Sequence, residues 1–149
     1  MIYIRPFKKE DLLAFNPIEP MAKAEIKDME FAQAIEDSEL AVTGIRDSKI
    51  VACGGVHPTN NSEYGELWIR LNHDCKNHKI ETMQCLRDGL KIIEEISPFK
   101  YLGASIRNSF RKSAPFLESF GYVKIEEVDY ENEKWLVYRK RIKQCQQQQ

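Results

Sequence analysis

Between Asn72 and Ile80 the chain gathers side chains that ligate metals and neutralise anions: His73, Asp74, Cys75, Lys76, His78 and Lys79. A Cys/His/His site with Asp74 can be drawn from them in the donor types that zinc prefers. No second cluster supplies the remaining ligands, and the same residues open a helix, where Asp74 can cap backbone amides instead, so no metal is expected. The stretch contains no glycine. Just upstream, Glu63 and Glu66 place two carboxylates before and on the strand-like run Tyr64-Gly-Glu-Leu-Trp-Ile-Arg-Leu71. On an alternating strand, carboxylates most simply face water. Trp68 and Trp135, with Tyr64 and Tyr138, have the ring types of a base-stacking platform, yet they alternate within strands that must cover a core, and packing is the expected role.

The elements that position these groups are read from periodicity. Ile2 and Ile4 alternate with Tyr3 and Arg5 as a strand closed by Pro6, and residues 8–15 read as a helical stretch ending near Asn16-Pro17. From Pro20, the spacing of Ala22, Ile26, Met29, Ala32 and Ile35 predicts an amphipathic helix. Residues 39–45 and 49–56 form strands joined by Arg46-Asp-Ser48 as a hairpin, and residues 57–63 are a turn-rich loop leading into the 64–71 strand. A long helix follows, with Ile80, Met83, Leu86 or Arg87, Leu90, Ile93 and Ile96 as its apolar stripe and Ser97-Pro98 as its end. Residues 100–106 make a fifth strand, Phe110, Ala114, Leu117 and Gly121 a short helix stopped at Phe120-Gly121-Tyr122, and residues 122–128 and 133–142 a last hairpin. The tail, residues 143–149, is Gln-rich.

A chain of 149 residues fits one domain with one core. Its 22 Lys+Arg against 23 Asp+Glu, a formal charge of −1, count against nucleic acid as the main partner. No apolar run reaches the roughly 18–20 residues of a membrane span. The N-terminal residues lead into a strand rather than a signal peptide, so a soluble protein made in a cytoplasm is expected. Cys53, Cys75, Cys85 and Cys145 form no CxxC pair; a disulfide framework is not expected, and Cys53 reads as a small buried hydrophobe.

This order of elements, with Ala114-Pro-Phe-Leu-Glu-Ser-Phe-Gly-Tyr122 after a fifth strand, resembles the GNAT (Gcn5-related N-acetyltransferase) superfamily over residues 1–142. The resemblance implies an α+β fold: a mixed, mostly antiparallel sheet of six or seven strands with helices on both faces. It also implies an acetyl-CoA site where the fourth and fifth strands part, with the pyrophosphate on amides of a glycine-rich loop at a helix start. The matching segment here, Asp74–Ile80, offers Lys76, His78 and Lys79 in place of glycine. Ile69 and Leu71 lie where a strand amide would meet the cofactor and stabilise an oxyanion, and Glu66 where related enzymes place a general base. The family's tyrosine acid is replaced by Leu117, which leaves only another donor, such as Tyr122 or Tyr101, for the leaving thiolate.

These two departures imply a degenerate acetyl-CoA site with no cofactor expected. The closer likeness is to GNAT-like proteins of short-tailed bacteriophages, which implies a virion or morphogenesis component, found in the virion or the host cytoplasm, that uses the fold as a docking and packing module. Its partners would be other phage structural proteins or copies of itself. The alternative is an acetyl-CoA-dependent N-acetyltransferase acting on a small-molecule or protein amine. The tail with the basic run Arg139-Lys-Arg-Ile-Lys143 is expected to dock on a partner. The acidic string Glu126, Glu127, Asp129, Glu131 and Glu133 is explained by a solvated hairpin, or alternatively by acidic tip meeting basic tail between copies.

Overall fold

The computed structural model describes residues 2–14 and 29–143. The strands are β1 (Ile2–Pro6), β2 (Ala41–Arg46), β3 (Lys49–Pro58), β4 (Tyr64–Leu71), β5 (Tyr101–Arg107), β6 (Val123–Tyr130) and β7 (Glu133–Arg141), and the α-helices are α1 (Met29–Ser38), α2 (Lys79–Ile96) and α3 (Ala114–Ser119). Shorter 3-10 helices span Lys9–Ala14, His73–Asn77 and Asn108–Ser113. The seven strands run in the order β1-β2-β3-β4-β5-β7-β6. Every recorded ladder is antiparallel except β4 with β5. This is the mixed, mostly antiparallel α+β sheet expected from the sequence. The expected end of the first helical stretch, the start of the second near Pro20, and the tail from residue 144 fall outside the described residues.

Two compact units divide the chain, Met1–His57 with Trp68–Ser97, and Pro58–Leu67 with Pro98–Gln149. β4 gives its first half to the second unit and its last half to the first.

In the first unit, β2 alternates its side chains between two helical layers. Ala41 joins Phe7, Leu12, Ala32, Ile35, Cys53 and Trp68 beneath α1 and the first 3-10 helix, while Val51, Ala52, Cys75 and Cys85 pack with Ile2, Ile4 and Leu71 on the α2 side. The N-terminal segment is tied down by charge. Arg5 donates two hydrogen bonds to Asp11, at 2.7 and 2.9 Å, and the buried Asp11 also accepts from the Thr43 hydroxyl (2.7 Å) and the Lys8 amide (2.9 Å). Burial alone would raise the Asp11 pKa, but these donors outweigh it and hold the carboxyl below its usual range.

The buried stripe on α2 keeps Leu90 and Ile93 of the expected one and departs from it at the other positions. Ile80 is 86% exposed and Met83 and Ile96 are exposed, whereas Thr82, Cys85, Gly89, Leu90 and Ile93 are buried. The helix docks through its small residues: a Cβ on Gly44 would collide with the Cys85 sulfur. Close approach of helix to sheet at this point selects glycine at position 44 opposite Cys85. Met29 likewise lies exposed at the start of α1, which buries Ala32 and Ile35.

In the second unit, Leu102, Ala104 and Ile106 of β5 and Leu136 and Tyr138 of β7 are buried on one face, as are Leu117 and Tyr122. α3 ends as its sequence demands. Gly121 takes φ +91°, its amide bonds Glu118 O, and the Tyr122 amide bonds Leu117 O, the paired bonds of a Schellman motif. Both hairpins close on two residues with positive φ, Asp47-Ser48 and Glu131-Asn132, the twist that two-residue turns between right-twisted strands require.

Candidate functional site

The parallel ladder between β4 and β5 pairs Tyr64 with Tyr101, Gly65 with Leu102 and Glu66 with Gly103. It goes no further, although β4 runs on to Leu71 and β5 to Arg107. Backbone donors and acceptors beyond the last pair are therefore not consumed by this ladder. Glu66 stands at that last pair. Its carboxyl is half-buried, burial raises its pKa, and no side chain among the described residues donates to it. A carboxyl so placed holds a proton more readily than one in water, which suits a group that takes up and gives back a proton. Glu63 is different: it is exposed, lies 3.8 Å from Lys100, and its carbonyl accepts from the Lys100 and Tyr101 amides. Its part is to join the loop to β5.

In the same unit, Tyr64 and Tyr101 stack with ring centroids 4.8 Å apart, and the Arg139 guanidinium lies over both while donating to the Tyr64 hydroxyl at 2.7 Å. Leu117 is buried. Neither tyrosine considered in its place stands ready as an acid: Tyr122 is deeply buried with Lys140 over its ring, and Tyr101 is held between Tyr64 and Arg139. Tyr138 is engaged as well, its hydroxyl 3.3 Å from Glu118, and burial first and the nearby Glu118 charge second push its pKa up.

In the first unit, the last half of β4 carries Trp68, Ile69, Arg70 and Leu71. Trp68 is only 7% exposed, stacks on His57 (5.6 Å, 16°) and meets Phe7 edge-on, yet its indole N–H has no hydrogen-bond partner. Ile69 is half-buried near Gly54, and Leu71 packs beside Val51 and Cys75. Trp68 and Tyr64 thus serve packing, as expected.

After β4 the chain is stapled to β3. The Asn72 amide bonds Val51 O, its side chain donates to Ile50 O and accepts from the His73 amide, and the Cys75 thiol donates to Val51 O at 3.0 Å. No residue from Asn72 to Lys79 has positive φ, so the glycine-free segment makes a 3-10 turn where a glycine loop would curl around phosphates. Asn72 caps that turn; the capping expected of Asp74 concerns a side chain outside the described ones. α2 then begins with no side-chain cap. The Thr82 amide is the first to bond back, to His78 O, leaving the amides of Lys79, Ile80 and Glu81 without an intrahelical acceptor. Lys76 and Lys79 are exposed and His78 half-buried around this helix start. Glu81, which sequence reasoning passed over, places its carboxylate 3.5 Å from His78 Nδ1 and 3.9 Å from Arg46 in the same first turn. Open amides and three cationic or protonatable side chains fit a pyrophosphate in charge; Glu81 opposes it. No group of three or more His, Cys, Asp or Glu is placed to hold a metal ion among the described residues. None of the described helices is long and apolar enough to cross a membrane.

No family model matches the chain, and no curated protein matches it. Solved structures do. An N-acetyltransferase from Staphylococcus aureus Mu50 superposes with a TM-score of 0.74 at 14% identity, over 96% of this chain and 99% of that one. The ribosomal-protein-alanine N-acetyltransferase of Brucella melitensis gives 0.75 at 15%, over 93% and 99%. The yncA protein of Salmonella typhimurium, with its cofactor acetyl-CoA, gives 0.75 at 10%, over 97% and 96%. The chain shares its fold with these proteins and with an acetyltransferase of the GNAT family from Streptococcus pneumoniae, at a TM-score of 0.73 and 10% identity over 96% of this chain and 100% of that one.

Proposed function

We propose that this chain is an acetyl-CoA-dependent N-acetyltransferase acting on a small-molecule or protein amine. The observation that carries the reading is the β4–β5 ladder ending at Glu66 and Gly103, with a half-buried carboxyl at its last pair. When bound, acetyl-CoA supplies an activated acyl group as a thioester. The open amides of Lys79–Glu81, with Lys76, His78 and Lys79, would hold its pyrophosphate. A β4 amide near Ile69–Leu71 donates to the acceptor oxygen as negative charge develops there. Glu66, directly or through a water, takes the proton that the attacking amine gives up. Leu117 has no proton to give, and Tyr101 and Tyr122 are packed away, so none of the three would serve as the acid for a leaving thiolate.

The 3-10 turn without glycine and the buried Leu117 favour a second reading, in which the fold binds no cofactor and serves as a docking module. Thermal denaturation with acetyl-CoA at about 1 mM separates the two, because a ligand that binds only the folded state raises Tm by mass action. A rise in Tm, with thiol release when amines are added, supports the transferase. No shift at that concentration overturns it in favour of the docking module.

A further inference from the structure

We infer that the face of β5 and β7 beyond Glu66 is an acceptor groove for a peptidyl amine that carries a carboxylate, with Arg107 as the group that selects it. The inference rests on the transferase reading and names its substrate class. On the face away from the buried side chains of β5, that strand presents Gly103, Ser105 and Arg107, and β7 presents their partners Arg139, Val137 and Trp135. Two arginine–aromatic stacks stand there. Arg139 lies over Tyr64 and Tyr101 at one end, and Arg107 lies over Trp135, 5.4 Å from the ring centre, at the other. The stretch between them is low: Ser105 is exposed, its partner Val137 is short, and Gly103 has no side chain. Glu66 flanks it at Gly103, the last pair of β4 with β5.

The two stacks differ in what they leave to a ligand. Arg139 is engaged, donating to the Tyr64 hydroxyl at 2.7 Å. Arg107 is held in place but keeps its donors. Its Nε faces Glu133 Oε1 at 3.7 Å, beyond hydrogen-bond distance, while Glu133 Oε2 accepts from the Ser109 hydroxyl at 2.6 Å. The guanidinium is thus fixed over the indole and beside one carboxylate, with its Nη edges making no hydrogen bond among the described residues. A planar fork already oriented in this way fits a carboxylate and loses little freedom on binding it. The Trp135 nitrogen is buried, so the ring contributes only its face. Distance sets the rest of the ligand. Gly103 and Arg107 are four residues apart, about 13 Å along a strand, so a molecule that brings its amine to Glu66 and its carboxylate to Arg107 must hold them roughly 10 Å or more apart. A free amino acid is too short, and an extended peptide of about three or four residues has the length. Ser105, between the two ends, offers its hydroxyl to the peptide backbone.

The test is acetyl transfer from acetyl-CoA to peptides of about two to five residues, each with a free C-terminal carboxylate or the corresponding amide, beside calorimetric titration of the same peptides into the full chain alone. The wild type is expected to favour the carboxylate form by about tenfold or more in kcat/KM at the matching length, and to bind it without cofactor. Arg107→Gln should erase that preference, chiefly through KM, and Arg107→Lys, which keeps the charge and loses the fork, should retain part of it. Both variants are checked for native circular dichroism. Equal use of carboxylate and amide at every length, or a preference that survives Arg107→Gln, would overturn the inference and leave the transferase standing. Peptide binding that depends on Arg107, with no transfer, would support the groove and overturn the transferase. Neither binding nor transfer overturns both.

Discussion

Glu66 and Gly103 stand opposite each other at the last pair of the parallel ladder, with Glu66 Oε1 4.0 Å from the point a Cβ on Gly103 would occupy. Glycine on β5 leaves the carboxyl beside bare backbone, half-buried and without a donor. Glu66→Gln should lower turnover by about 10²–10⁴, while Glu63→Gln should leave it near wild type. Stability supplies a second readout. A carboxyl whose folded pKa is raised binds its proton more tightly in the native state, so the wild type loses stability as pH rises from about 4.3, the ordinary glutamate value, through the folded pKa. Glu66→Gln lacks that loss. In urea titrations the variant should match the wild type near pH 4 and exceed it at about pH 8; a constant difference at both would refute the assignment.

The first turn of α2 yields an opposite expectation for a carboxylate. Glu81 sits among the open amides with His78 and Arg46 close by. Glu81→Gln should tighten acetyl-CoA binding several-fold, by removing a negative charge from a helix start that faces an anion, and added salt should narrow the gain. Titration calorimetry at two ionic strengths checks both statements.

Asp11 behaves in the reverse sense to Glu66. Its folded pKa is depressed, so the stability it supplies is present above the ordinary aspartate value and is lost as pH falls through the folded pKa. Asp11→Ala leaves Thr43 and Arg5 without their acceptor and should cost about 3 kcal/mol at neutral pH. The difference from wild type should shrink in acid, as chemical denaturation across a pH series would reveal.

Gly44 and Cys85 should be coupled. Gly44→Ala places a methyl against the Cys85 sulfur and should destabilise by roughly 1–3 kcal/mol. In the double variant Gly44→Ala, Cys85→Ala the cost should be smaller than the sum of the two single changes, because the shortened side chain makes room. Additivity in a double-mutant cycle would count against the close approach.

The fold was legible where chemistry is local. Turn residues at Asp47-Ser48, the glycine that ends α3 and strand alternation follow from backbone preferences within a few residues. The stripe of α2 was legible in part: Leu90 and Ile93 are buried as expected, whereas Ile80, Met83 and Ile96 are exposed, because a helical period admits neighbouring stripes. That Cys85 is buried as well has a reason on another element, at Gly44. The candidate site divides in the same way. Glu66 and the cationic helix start are visible in the strand and the loop themselves, whereas the Arg139–Tyr64 bond joins residues 75 positions apart and leaves no local trace. Glu81 was in plain view, but as one acidic residue among several in a charged helix its nearness to His78 and Arg46 required the hairpin that carries Arg46.

The three buried thiols among the described residues act as built-in clocks. Burial pushes Cys53 to about 12 and Cys85 to about 11, and Cys75 is buried with its thiol bonded to Val51, so a thiol reagent must wait for the protein to open. Cys75 belongs to the turn before α2, Cys85 to the helix itself and Cys53 to β3 beneath α1. Their separate labelling rates would time the loosening of the helix start, the helix and the sheet from a single sample, with no foreign probe introduced.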